Sequence, residues 1–192
     1  MKKVIRIFCI LFLVTLALIG CSSSDEGDAK KVGKEFVKGI YTVDAQEVVD
    51  FSKPISPVID TEKPPNEEEY KKQSEAYLKT LKSLDKDIVA LMTEDGYDDA
   101  LRTQFKTVNT KICVMNNYTA QVTDLTLGEN VYKDYKDSDK VRYPYEVKFN
   151  FISSDGKTKQ ADTSKGTVDL IKEDGKWKVC LFEVNQFPKL YK

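Results

Sequence analysis

Val141-Arg142-Tyr143-Pro144-Tyr145-Glu146-Val147-Lys148-Phe149-Asn150-Phe151 puts an apolar or aromatic side chain at every second position, six in succession. Alternate side chains of a strand share a face, so these six point one way and Arg142, Glu146 and Lys148 the other. Such a run is a strand buried on one side and wet on the other. Downstream, Ser153-Ser154-Asp155-Gly156 supplies a turn. Glu173-Asp174-Gly175 supplies a second one between strand-like runs at 167–172 and 176–184, and Asp-Gly is the strongest short hairpin signal. Upstream, residues 111–127 are expected to form the first strand, with Asn116-Asn117 as a bulge or kink. Four antiparallel strands in chain order result.

Ahead of the strands the period changes from two to between three and four. Val32, Phe36, Val37, Ile40 and Tyr41 mark one helical stripe. Asp44 with Glu47 three residues on reads as a capping box opening a short helix through Val48, Val49 and Phe51. Pro54, Pro57, Pro64 and Pro65 then force a surface excursion. Asn66 caps a long helix whose first turn holds Glu67, Glu68 and Glu69, where the helix dipole favours negative charge. Its stripe of Tyr70, Tyr77, Leu81, Leu84, Ile88 and Leu91 covers a sheet or forms a short coiled coil, and too few heptads favours the first. Gly96 is expected to end this helix, and 97–108 to form another with Leu101, Phe105 and Val108 inward. A run of helices followed by a meander predicts an α+β fold, N-terminal helices packed on a curved four-stranded antiparallel sheet, in one domain over 29–192.

The first helix ending at Val43-Asp44-Ala45, the mid-chain helices, the strand Tyr118-Thr119-Ala120-Gln121-Val122 and the hairpin Asp174-Gly175-Lys176-Trp177-Lys178-Val179 together resemble the nuclear transport factor 2-like, cystatin-like lipoproteins of Gram-positive bacteria, over residues 29–187. The resemblance implies a pocket between sheet and helices, in which enzymes of this fold place an acid or base, often Asp or His. It also implies, as an alternative, a structural subunit of a secretion or conjugation apparatus, since such machines use similar domains.

Residues 1–20 carry Lys2, Lys3 and Arg6, then an apolar run from Ile7 to Ile19, and Leu18-Ile19-Gly20-Cys21 resembles a lipobox. This is the layout of a bacterial lipoprotein signal peptide, with Cys21 expected to carry diacylglycerol. A retained transmembrane anchor is the alternative, but spanning a bilayer takes about 20 apolar residues and this run is shorter. The polar tether 21–28 extends at most about 25 Å, so the domain is expected at the extracytoplasmic face of the cell membrane. Lysine outnumbers arginine heavily, with arginine only at Arg6, Arg102 and Arg142, a bias that points to an AT-rich Gram-positive source. Loss of the leader removes three positive charges and no acids, turning the formal charge from −1 to −4. That mildly acidic, evenly mixed surface excludes a nucleic-acid footprint.

The 192 residues contain no histidine, which excludes Ser-His-Asp and Cys-His nucleophiles and histidine-bearing zinc sites. Asp134, Asp137 and Asp139 lack the glycine and terminal glutamate of a calcium loop and lie among lysines. No cofactor or metal is expected. Cys9 leaves with the leader and Cys21 takes the lipid, so Cys113 and Cys180 remain. Export invites a disulfide between them, while their placement on the first and last strands argues for separate buried thiols. Asp169 and Glu183 are the strand carboxylates an enzyme could use. Glu183 is expected to share a face with Trp177, Val179 and Leu181. A ligand-binding cleft is expected among Phe36, Ile40, Tyr41, Phe51, Tyr145, Phe149 and Trp177, with Glu183 at hand, for a small apolar ligand or a segment of an envelope protein. Tyr132 and Tyr135, aromatic in a charged loop, are candidate contact residues. These features favour a non-catalytic ligand-binding or protein-interaction module. A small-substrate enzyme using a pocket carboxylate is the competing class.

Overall fold

In the computed structural model of the chain, residues 25–52, 66–103, 107–132 and 139–191 are described. The leader with Cys21, the four prolines, Phe105 and Tyr135 lie outside these residues, as do the side chains of Tyr77, Leu81, Leu84 and Leu101. Among the described residues six helices precede four strands: α1 (Asp25–Tyr41), α2 (Ala45–Ser52), α3 (Glu67–Leu84), α4 (Lys86–Val89), α5 (Glu94–Thr103), α6 (Thr107–Asn116), β1 (Tyr118–Leu127), β2 (Lys140–Ser153), β3 (Lys159–Glu173) and β4 (Lys176–Gln186). The strands form one antiparallel sheet in chain order. This is the α+β arrangement that the period change predicts. No helix among the described residues is long and apolar enough to cross a membrane.

The six alternating residues of β2 are all buried, and none is more than 6% exposed. They face α1, which lies across the sheet and touches every strand. Its acids Asp25, Glu26 and Asp28 occupy the first turn, and Ala29, Gly33, Phe36, Val37, Ile40 and Tyr41 are buried at helical spacing. The expected caps form as well. Asp44 Oδ1 accepts the Glu47 N–H at 2.7 Å, while Asn66 Oδ1 accepts from Glu69 N–H at 2.9 Å and Glu69 Oε2 from Asn66 N–H at 3.2 Å, a reciprocal capping box. Both sheet edges are met by single bridges, Val43 on Ala120 of β1 and residues 91–93 on Val179 of β4, which blunts them against pairing with other chains.

Several boundaries differ from the sequence reading: the long helix ends at Leu84, with α4 as a separate turn, and in place of one helix over 97–108 there are two, α5 and α6. Gly96 does not end a helix; it lies in the first turn of α5, where its N–H donates to the Thr93 hydroxyl cap at 3.0 Å. Residues 111–116 are helical, not the start of a strand. Val108, Ile112 and Cys113 are buried at helical spacing, and two polar side chains of α6 find partners that only the fold supplies. Asn109 Nδ2 donates to the Tyr41 carbonyl at 3.1 Å and Thr110 Oγ1 to Glu47 Oε1 at 2.9 Å. Asn117, at φ 55°, is the left-handed residue that ends α6 rather than a bulge. The bulge of β1 comes later, at Thr123, and keeps both Val122 and Leu125 directed to the core. The Asp174-Gly175 turn forms as expected, both residues at positive φ.

Candidate functional site

Among the described residues four places gather the chemically capable side chains, and the first is the space between α1 and the sheet. Tyr41 stacks on Phe149 at 5.4 Å, Tyr145 on Phe182 at 5.3 Å, and Phe36 meets Phe182 edge-on at 5.3 Å. Tyr41, Tyr145 and Phe149 thus come together as expected, but each is at most 3% exposed: the side chains fill the cleft they line. Tyr41 Oη lies 2.9 Å from Tyr145 Oη and 2.7 Å from Ser164 Oγ, and Ser164 donates to the Gln186 carbonyl at 2.5 Å. A carbonyl only accepts, so with one hydrogen per hydroxyl Ser164 donates to Gln186 and Tyr41 to Ser164, and the Tyr145 hydrogen is shared between Tyr41 and the Glu183 carbonyl at 3.4 Å. Burial pushes both phenols above their ordinary range, so the relay is neutral at physiological pH. Its closeness depends on Gly166: a Cβ there would sit 2.6 Å from Tyr145 Oη and overlap the Glu183 carbonyl.

Trp177 does not join that cluster. Its Nε1 donates to Asp25 Oδ1 at 3.0 Å, and Lys172 Nζ reaches Asp25 Oδ1 and Oδ2 at 2.8 and 2.9 Å. Hydrogen bonds from Lys172 and then Trp177 hold the Asp25 carboxyl below the ordinary aspartate value. Phe51, half-buried on α2, lies elsewhere again. It borders an open groove of about 340 Å³ ringed by Asp44, Glu47, Asp50, Asp85 and Asp87. The sequence reading missed this groove because its acids come from two separate helices, and all but Asp50 lie at helix starts, where capping is their ordinary role. Several have protein partners: Asp44 caps α2, Asp50 accepts from Gln46 at 3.1 Å, and Glu47 from Thr110. Among the described residues no three His, Cys, Asp or Glu side chains are placed to hold a metal ion.

The fourth place is the sheet face away from α1. Asp169 is fully buried there, receiving Arg142 Nε at 2.6 Å and Nη2 at 2.8 Å, with Lys140 Nζ at 3.9 Å. Hydrogen bonding to Asp169 raises the Arg142 pKa in turn. Tyr132 lies against this pair, its ring centre 5.3 Å from Arg142 Cζ and 5.7 Å from Lys140 Nζ. Glu183 is exposed and accepts from Thr167 Oγ1 at 2.9 Å. It does not share a face with Trp177 and Val179. Leu170 pairs with Val179 and Asp169 with Leu181, so Cys180 is an extra residue that flips the alternation and turns Phe182 inward. Cys113 and Cys180 are both free. Cys113 is on α6 rather than a strand, and burial pushes its thiol up to about 12. Cys180 donates to the Asp169 carbonyl at 3.6 Å, and burial raises its thiol too.

No protein-family model and no curated protein matches the chain. Among solved structures it is similar to a periplasmic fragment of TraM, at 12% identity and a TM-score of 0.43, over 85% of this chain and 98% of that one. It is also similar to Aln2 from a Streptomyces species, at 14% identity and a TM-score of 0.37, over 65% of this chain and 94% of that one. At such identities and TM-scores the likeness carries no argument about function.

Proposed function

We propose that this protein is a Gram-positive surface lipoprotein, held by a diacylglyceryl group on Cys21 at the extracytoplasmic face of the cell membrane, whose α+β domain is a non-catalytic module binding through its surface. The observation that carries the binding half is the filled interior. The side chains expected to line a ligand cleft, Phe36, Tyr41, Tyr145 and Phe149, stack on one another or on Phe182. The strand carboxylates support the same reading: Asp169 is consumed by Arg142, and Glu183 is exposed on the far face. A partner of this domain, a segment of an envelope protein, meets side chains that are already at the surface. The anchor rests on the Leu-Ile-Gly-Cys sequence after an apolar leader.

Expression of the full chain in a Gram-positive host with labelled palmitate tests both halves. Label retained by the wild type and lost in Cys21→Ala, with the mass of a diacylated N-terminal peptide, is the expected result; an unmodified thiol overturns the anchor. Native mass spectrometry of the detergent-extracted protein should give the lipidated chain alone. A small molecule that co-migrates stoichiometrically and is released on unfolding would restore the interior as a ligand site.

A further inference from the structure

The first described residue of α1 is tied down, and the place it is tied to lies at one end of the sheet. Asp25 opens α1, and its carboxylate holds both the Lys172 ammonium and the Trp177 indole N–H, the two residues flanking the β3–β4 turn. Lys172 also lies over the Trp177 ring at 5.8 Å, and its backbone N–H donates to the Asp139 carbonyl at 2.9 Å just ahead of β2. The start of α1, the β3–β4 hairpin and the entry to β2 are thereby locked together at one end of the sheet.

Cys21 precedes Asp25 by four residues, which span at most about 14 Å fully extended. The 15 residues of β3 run about 50 Å to the opposite end. A tether that short cannot reach the far end of the strand. We propose, resting on the lipid-anchor reading above, that the β3–β4 hairpin end of the sheet sits against the phospholipid headgroups and the turn at 153–158 points outward. Mixed charge at the near end fits a contact imposed by the tether rather than by attraction to anionic lipid. Exposed Lys140 and Lys176 stand beside exposed Asp139 and Asp174, Lys178 is paired with Glu173 at 3.3 Å, and Lys172 with Asp25.

Trp177 is the chain's single tryptophan and stands at the proposed contact end, so it serves as the probe. The lipidated full chain is reconstituted into phosphatidylcholine vesicles containing a dansyl-labelled phospholipid, and energy transfer from tryptophan is compared with that in a Trp177→Phe, Lys157→Trp variant, which moves the donor to the opposite turn. Transfer several-fold greater from Trp177 is expected, and equal or smaller transfer overturns the orientation. Flotation with the vesicles separates the two readings. A chain that floats but shows no difference between donors refutes the orientation alone, whereas one that fails to float refutes the anchor and the orientation with it.

Discussion

The two faces of the sheet bury polar chemistry in opposite ways. On the face under α1, hydroxyl groups satisfy one another in a neutral relay, Tyr145 to Tyr41 to Ser164, set among stacked aromatic rings. On the other face an ion pair is buried: Asp169 sits beneath Arg142, Lys140 and Tyr132. The contrast follows from how each face excludes water. Rings packed by a helix leave room only for groups that can hydrogen-bond without ionising. A carboxylate covered by two cations and an aromatic ring is compensated where it lies, because the cations are part of the shield. The first face therefore depends on shape and the second on charge pairing.

The largest expected effect breaks the comparison by shape. Phe149→Ala should cost about 3–5 kcal/mol in urea unfolding, the range for removing a packed aromatic ring. Lys148→Ala, one residue along on the other face, should stay within about 0.5 kcal/mol, because its 3.1 Å pair with Asp124 is half-exposed at both ends. Similar losses would mean that the two faces are not distinguished by packing. Next comes charge. Asp169→Ala strands Arg142, whose 26% exposure lets water relieve part of the penalty, so about 2–3 kcal/mol is expected rather than the full cost of breaking a buried pair. Adding Arg142→Leu should return some of that loss; no recovery would show that Asp169 matters for something other than the pair.

Where the structure obeys local rules the sequence foretold it, and where it does not a long-range contact intervenes. The β2 stripe, the Asn66 capping box and the Asp174-Gly175 hairpin each depend on neighbours within a few residues, and each formed. Residues 111–116 are rich in strand-forming types, yet are helical because Asn109 and Thr110 bond to Tyr41 and Glu47 across the fold. The face of Glu183 escapes the sequence for a subtler reason. Period-two counting from Trp177 holds only to the extra residue at Cys180, and a bulge leaves no mark in the sequence. At the candidate site, inward placement of Tyr41, Tyr145 and Phe149 was legible from spacing. Whether they line a void or fill it depends on the summed volumes of α1 and β4 side chains, which no local pattern reports.

The direction of the hydroxyl relay offers a finer test. Tyr41→Phe removes the middle member, leaving a Ser164 lone pair unmatched and the Tyr145 hydrogen only the long bond to the Glu183 carbonyl at 3.4 Å, and should cost about 1–2 kcal/mol. Tyr145→Phe removes only the end donor and should cost less, because Tyr41 still donates to Ser164 at 2.7 Å. The reverse order in urea midpoints would run the relay the other way.

The smallest effect lies at the sheet end, where the two faces meet the start of α1. Asp25 ionises more readily in the folded chain than in the unfolded one, because Lys172 and Trp177 bond to its charged form. Its contribution is therefore fully present above the ordinary aspartate value of 3.8 and disappears as pH falls through the lower folded value. Trp177 emission reports it directly, since the indole N–H donates to that carboxylate. Emission should hold steady from neutrality to about pH 4 and shift only below it. Asp25→Asn should abolish the acid step. A step centred above 3.8 would mean that the folded chain disfavours the carboxylate, and the clamp would then owe its geometry to packing of Trp177 rather than to charge.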